Sequence, residues 1–299
     1  MSAAPHWLTQ QRAQARRGPG GGRLPLLVGT TAQIGSVALQ LMDQIGRSRL
    51  LDGRYQLSFQ EYDDTQAWAL PADDASGALN ALAAALRRDG CCGPWRDEQL
   101  AVRDLQGRPI ATVERGAVRV LGIATDAVHL IGLTADGAGL WVQQRSLTKA
   151  SHPGEWDTLM GGMVSAHDTL AQALARETQE EAGLRIDALA DLRPGPAVRF
   201  DQPSDEGGPG RGYMRECINW WSARLPGGTV PVNQDGEVAR FEPWSHARVL
   251  EQLAAGAFTP EATLVLGAYY EQCAAFGQDF QNSSSNTTPS SLRRITPTL

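Results

Sequence analysis

The sequence predicts an α/β chain in which a mixed sheet is sandwiched by helices and preceded by a small α+β domain. Two observations predict it. From Val118 onward, short apolar runs bounded by Gly or Asp turn residues recur on both sides of one helical segment, Leu170–Ala182, and give way to further helix near the end. Ahead of them, residues 24–115 combine two short apolar runs, 26–28 and 55–59, with an alanine- and leucine-rich stretch of helical spacing, Ala75–Arg88.

Taken in order, residues 1–22 form an N-terminal arm, a short helix tethered by the Gly/Pro run 16–22. Residues 23–117 form the small α+β domain and 118–281 the larger one. In the latter we expect strands at 118–124, 127–134, 140–144, 195–200, 215–223 and 236–243, and helices at Leu170–Ala182, 245–256 and 260–276. Residues 282–299, rich in Ser, Thr, Asn and Pro, read as a disordered tail.

Composition limits function only broadly. With 42% apolar and 20% charged residues over 299 positions, the chain has ordinary globular usage and room for one or two domains. A net charge of −6 argues against nucleic acid as a partner, because phosphate-backbone binding needs clustered Lys and Arg. It does not exclude small phosphate ligands, since a divalent cation inverts the local field. Cys91, Cys92, Cys217 and Cys273 lack zinc-site spacing and read as reduced, structural thiols. There is no secretory or membrane-spanning run, so we expect a cytoplasmic monomer or homodimer with no membrane partner.

The chemistry is concentrated in residues 162–184, GMVSAHDTLAQALARETQEEAGL. At about 100° per residue, Glu177, Glu180 and Glu181 fall within an arc of roughly 100° on one helix face. Like charges so placed repel by a few tenths of a kcal/mol per pair, and a hard divalent cation removes that cost. Alone, the three carboxylates also fit a solvated acidic face. Their surroundings are more specific. Thr169 with Gln172 forms a capping-box pattern, Gly183 stands where a left-handed C-terminal residue is needed, and Gly161–Gly162 let backbone approach a phosphate or metal closely.

This segment resembles the Nudix box, matching it at Gly162, Arg176, Glu177, Glu180, Glu181, Gly183 and Leu184. Asp168 stands where that pattern has Glu, and Thr178 where it has an aliphatic residue. The resemblance implies a Nudix α/β/α sandwich and a Mg²⁺- or Mn²⁺-dependent hydrolase acting on a small-molecule diphosphate. It implies that Glu177, Glu180, Glu181 and the Gly162 carbonyl ligate the metal while Arg176 orients the glutamates. A further carboxylate from outside the helix serves as base or ligand, and Glu237, then Asp235, are the candidates, although both also suit plain hairpin chemistry. On the substrate side we expect Arg145 and Lys149 to neutralise phosphate, Trp156 to stack on a ring, and Gly161 and Gly162 to contact the ligand. The bland alternative for this stretch is strand capping and loop filling.

Segments outside the box (residues 93–98, Glu114–Arg115, His129, Trp141, 145–149, 153–157, 235–238 and 258–260) resemble the Nudix subfamily that bears an extra N-terminal domain, some of whose members are fused to thiamin pyrophosphokinase. That likeness implies hydrolysis of thiamin diphosphate or its oxidised analogues to the monophosphate, with a nucleoside diphosphate derivative as the alternative substrate. Two rival readings on the same fold are an isopentenyl diphosphate isomerase, disfavoured because residues 159–162 lack the Cys/His motif that chemistry needs, and a ligand-binding regulator that has lost catalysis.

Overall fold

The computed structural model describes residues 4–45, 50–51 and 53–275, so the stretch 282–299 read as a tail lies outside the described residues. The chain opens with helix α1 (His6–Gln14), then β1 (Arg23–Val28), β2 (Ala32–Ala38), α2 (Leu39–Ile45), the short pair β3 (Leu50–Leu51) and β4 (Tyr55–Gln56), β5 (Ser58–Tyr62), β6 (Thr65–Leu70) and α3 (Ala75–Arg88). The sheet order is β2-β1-β6-β5, with β1 parallel to β6. Helix α3 lies on this core because Ala78, Leu79, Leu82 and Leu86 recur at helical spacing and are wholly buried. Asp74 caps it by accepting from the Gly77 N–H at 3.0 Å. A hairpin, β7 (Gln99–Arg103) and β8 (Pro109–Glu114), completes the small α+β domain.

The strand expected at 118–124 is a correction. Residues 115–117 form a 3-10 turn and the chain stays coiled through Gly122, with the Leu121 and Ile123 amides donating to the Ala117 and Val118 carbonyls at 2.9 Å each. Val118, Val120, Leu121 and Ile123 are all buried in the core of the small domain. A turn whose apolar residues are all buried looks like a strand, so hydropathy alone misreads it.

The second domain contains β9 (Ala124–Leu133), β10 (Gly139–Arg145), β11 (Trp156–Asp157), β12 (Met160–Met163), α4 (Leu170–Ala182), β13 (Ala190–Pro194), β14 (Val198–Ser204), β15 (Gly212–Arg224), β16 (Val238–Ser245), α5 (His246–Ala254) and α6 (Pro260–Ala275). The central pair, β9 and β15, is parallel through ten registered positions, while β10, β12, β13, β14 and β16 join antiparallel, giving the expected mixed sheet. Alternation along β9 separates two cores: Val128 and Leu130 face α4 with Ala173, Leu174 and Ala182, whereas Ala127 and Ile131 face α6 with Val265 and Leu266. The result is an α/β/α sandwich. The arm is part of it, since Leu8 of α1 is buried in the α6-side core and Arg12 pairs with Glu271 at 2.5 Å. No described helix is long and apolar enough to cross a membrane.

One detail of topology places the site. Strand β9 pairs with β12 through residues 127–130 and with β10 through 132–133, so two neighbours share one edge of β9 and part from each other there. A cleft lies at that fork.

Candidate active site

Helix α4 is fixed at both ends. The Thr169 hydroxyl accepts from the Gln172 N–H at 3.3 Å and the Gln172 side chain returns a bond to the Thr169 N–H at 2.9 Å, while Gly183 closes the helix at φ 65°. Thr178 takes an aliphatic position by donating its hydroxyl back to the Leu174 carbonyl at 2.6 Å, which leaves no orphan polar atom in a fully buried place. With its apolar face packed on β9, the helix presents its carboxylates to the fork.

Those carboxylates occupy different environments. Glu181 is 2% exposed and accepts from the Gly161 N–H and the Gln143 Nε2, both at 3.1 Å. Burial pushes its pKa up to about 8, against the pull of Lys149 and of the Gly161 bond. Glu177 lies against Gly162 so closely that a Cβ there would meet its carboxyl carbon at 2.2 Å, and burial pushes it up to about 7, against the pull of Arg176. Glu180 is about half exposed and does not line the cleft. Arg176 holds the group together: its Nε donates to Asp168 at 2.9 Å, and its Nη1 to Glu177 at 3.0 Å and Glu180 at 2.9 Å. Asp168, a methylene shorter than Glu, therefore still reaches Arg176.

Across from the helix, Asp235 and Glu237 bring oxygen atoms to within 4.8 Å of Glu181 and of each other. Glu237 also pairs with Lys149. Its burial would raise its pKa, but the Lys149 ammonium more than offsets this and the net shift is downward. This all-oxygen donor set, partly buried and holding one buried carboxylate that no directly paired cation neutralises, suits a hard divalent ion. The side-chain-free ledge at Gly161–Gly162 makes room for the His129 ring and the Glu177 carboxylate, and the Gln143 Oε1 and Arg176 Nη2 are buried without partners among the described residues.

Of the residues expected on the substrate side, Lys149, Arg145, Gly161 and Gly162 line the cleft, but both cations are already engaged. Arg145 donates to the Ser151 carbonyl at 3.0 Å and pairs with Asp157 at 3.4 Å. Trp156 is a correction: it is 9% exposed, its ring centroid lies 4.3 Å from that of Trp244, and Arg240 lies over its ring. A two-residue strand turned toward the α6-side core buries that ring, so it cannot stack on a ligand.

Sequence reasoning gave no site role to several groups that line the cleft: His129, Asp157, Glu216, and Arg115 and Arg119 from the buried turn after β8. Arg115 is held by Glu98 at 2.8 Å and Arg119 by Glu206 at 2.9 Å. The segment ending the small domain thus places positive charge beside an acidic site. Glu114–Arg115 and His129 stand out in the sequence only as resemblances without a role.

A family model of the NUDIX domain matches residues 124–263, the span that supplies α4, the glycine ledge and Glu237. This stretch is similar to Nudix domains. An uncharacterised Nudix hydrolase of Pseudomonas aeruginosa is 38% identical over 108 residues, covering 36% of this chain and 62% of the relative. Nudix hydrolase 24 of Arabidopsis thaliana, described as chloroplastic, is 33% identical over 132 residues, 44% of this chain and 35% of the relative. An isopentenyl-diphosphate Δ-isomerase of Leifsonia xyli is 28% identical over 180 residues, 59% of this chain and 93% of the relative. The chain spans less than two thirds of the length of the first two relatives. Opposite α4, the isomerase-like alternative gains no cysteine: none of Cys91, Cys92, Cys217 and Cys273 lines the cleft.

Proposed function

We propose that this chain is a Mg²⁺-dependent diphosphatase that converts thiamin diphosphate, or an oxidised analogue of it, to the monophosphate. The observation that carries the hydrolase reading is the position of Glu177 and Glu181 against the Gly161–Gly162 ledge, with Glu237 facing them. The thiamin-type substrate is supported by the likeness of the flanking segments to the subfamily with an extra N-terminal domain.

Glu177, Glu181 and Glu237, with the Gly162 carbonyl, would hold the cation, and Arg176 fixes the direction of Glu177. When bound, Mg²⁺ supplies charge neutralisation at the diphosphate and acidifies the attacking water. Lys149, Arg145 and Arg115 bind phosphate oxygens as their present acidic partners are exchanged for substrate. Glu237, released from Lys149 in that exchange, takes the proton of the attacking water. The new P–O bond forms as the bridging P–O bond breaks, and the two phosphate products leave.

The test is incubation with thiamin diphosphate, its oxidised analogues and ADP in the presence of Mg²⁺, with products followed by ³¹P NMR. Monophosphate and phosphate from the thiamin compounds support the proposal. Turnover of ADP alone moves the substrate to a nucleoside diphosphate, and no turnover of any diphosphate removes the hydrolase reading.

A further inference from the structure

His129 sits on β9 opposite Gly161 of β12, on the face of the strand away from α4, and is 5% exposed. Its ring lies flat enough on the ledge that a Cβ at Gly161 would meet Cε1 at 2.6 Å and Nε2 at 2.9 Å. The absence of a side chain at Gly161 is therefore what lets the imidazole share a cleft with Glu177 and Glu181, which come from the other face of the sheet.

The tautomer follows from counting protons. His129 Nδ1 is 2.9 Å from the Thr158 hydroxyl, which has a single hydrogen. That hydrogen is committed: Thr158 Oγ1 lies 2.8 Å from the Met160 carbonyl oxygen, which can only accept. Among the described residues, the other neighbour competing for it is the Asp157 carboxylate at 3.5 Å, also an acceptor. Nδ1 must then be the donor to Thr158, and the carboxylate of Asp157, 3.7 Å from Nδ1, favours the same arrangement. Burial lowers the ring's pKa from the ordinary 6.5, against the pull of Asp157, so the ring is neutral near pH 7. Nε2 is left with a lone pair and has no protein partner among the described residues, although the side chain is more than nine-tenths buried. The one open side of this nitrogen is the cleft, from which a ligand donor or water can reach it.

We propose that His129, held in the Nδ1–H tautomer by Thr158, is a specificity-determining residue whose Nε2 accepts a hydrogen bond from an N–H or O–H donor on the organic part of the diphosphate substrate. Thr158 is its positioning residue. Glu216, 8% exposed, lines the same cleft and adds a second acceptor once it ionises above about pH 7, which suits an amino-bearing ring there. The inference rests on the diphosphatase reading above.

The test compares kcat/KM for thiamin diphosphate and for ADP, each against its analogue with the exocyclic amino group replaced by hydrogen, in the wild type, His129→Leu, His129→Gln and Thr158→Val. We expect the wild type to prefer the amino form of the compound it hydrolyses by about tenfold, the worth of one neutral hydrogen bond. His129→Leu should bring that ratio to about one, and His129→Gln, which keeps an acceptor, should restore part of it. In ¹⁵N-labelled protein, Nε2 should resonate as an unprotonated nitrogen and shift on addition of the amino form, and Thr158→Val should mix the tautomers. A protonated Nε2 in the free protein, or a preference unchanged in His129→Leu, overturns the inference. Absence of turnover on all four compounds instead overturns the diphosphatase reading, while the tautomer measurement still decides the Thr158 arrangement.

Discussion

The Glu181 carboxylate accepts a hydrogen bond from the backbone N–H of Gly161 at 3.1 Å, so α4 is tied directly to the glycine ledge of β12. Replacing this carboxylate with an amide keeps the shape and an oxygen to accept that bond but removes the charge. Glu181→Gln should lower kcat by about 10²–10³-fold, the usual scale for removing one group that stabilises transition-state charge. Above the folded-state pKa of Glu181, about 8, it should also raise the melting temperature in EDTA, because there an uncompensated buried charge is lost. A melt without gain, or retained turnover, would count against Glu181 as a ligand.

The pH dependence of stability follows from the same burial. Glu177, Glu181 and Glu216 have folded-state pKa values raised to about 7, 8 and 7 from an ordinary 4.5. A raised carboxylate pKa means that the folded state holds its proton more tightly, so the stabilisation is fully present below about pH 4.5 and is lost as pH rises through the folded values. In EDTA the melting temperature should fall between about pH 5 and about pH 8.5. Saturating Mg²⁺ should flatten the part due to Glu177 and Glu181. Equal slopes with and without Mg²⁺ would separate these carboxylates from the cation.

Gly162→Ala tests the close approach. A Cβ at that position would lie 2.2 Å from the Glu177 carboxyl carbon, and that carboxylate would have to swing away. We expect Mg²⁺ affinity to drop by about tenfold or more with circular dichroism unchanged, because a metal ligand must be held to within about 0.5 Å. Unchanged affinity would show that Glu177 does not need its present position.

Arg115→Ala addresses the contribution of the small domain. Arg115 is a partly exposed cation next to the acidic cleft, so its loss should raise KM for the diphosphate by about three- to tenfold, more at low salt, with a smaller change in kcat. Equal KM at low ionic strength would mean that the residue only braces Glu98.

What was legible in the sequence and what was not divide along local and non-local lines. The helix carrying Glu177, Glu180 and Glu181 was legible because its start at Thr169, its stop at Gly183 and its apolar stripe are all encoded within about twenty residues. The mixed sheet followed from short runs and turns. His129, Asp157, Glu216 and Arg115 were not legible as a group, because nothing local signals that a fork between β10 and β12 will gather them. Trp156 failed for a related reason: an aromatic beside a glycine-rich loop fits a ligand or a core equally well, and only its packing on Trp244 decides. Residues 118–123 failed because a turn whose apolar residues are all buried has the hydropathy of a strand.

The central claim, that buried acids on one helix exist to hold a divalent ion beside a diphosphate, is tested most directly by titrating Mn²⁺ into the protein and counting free ion by electron paramagnetic resonance. The wild type should take up Mn²⁺, and the Glu177→Gln, Glu181→Gln double variant, shown folded by its circular dichroism, should lose that uptake. Equal uptake by both proteins, or none by the wild type even with a diphosphate present, would contradict the account.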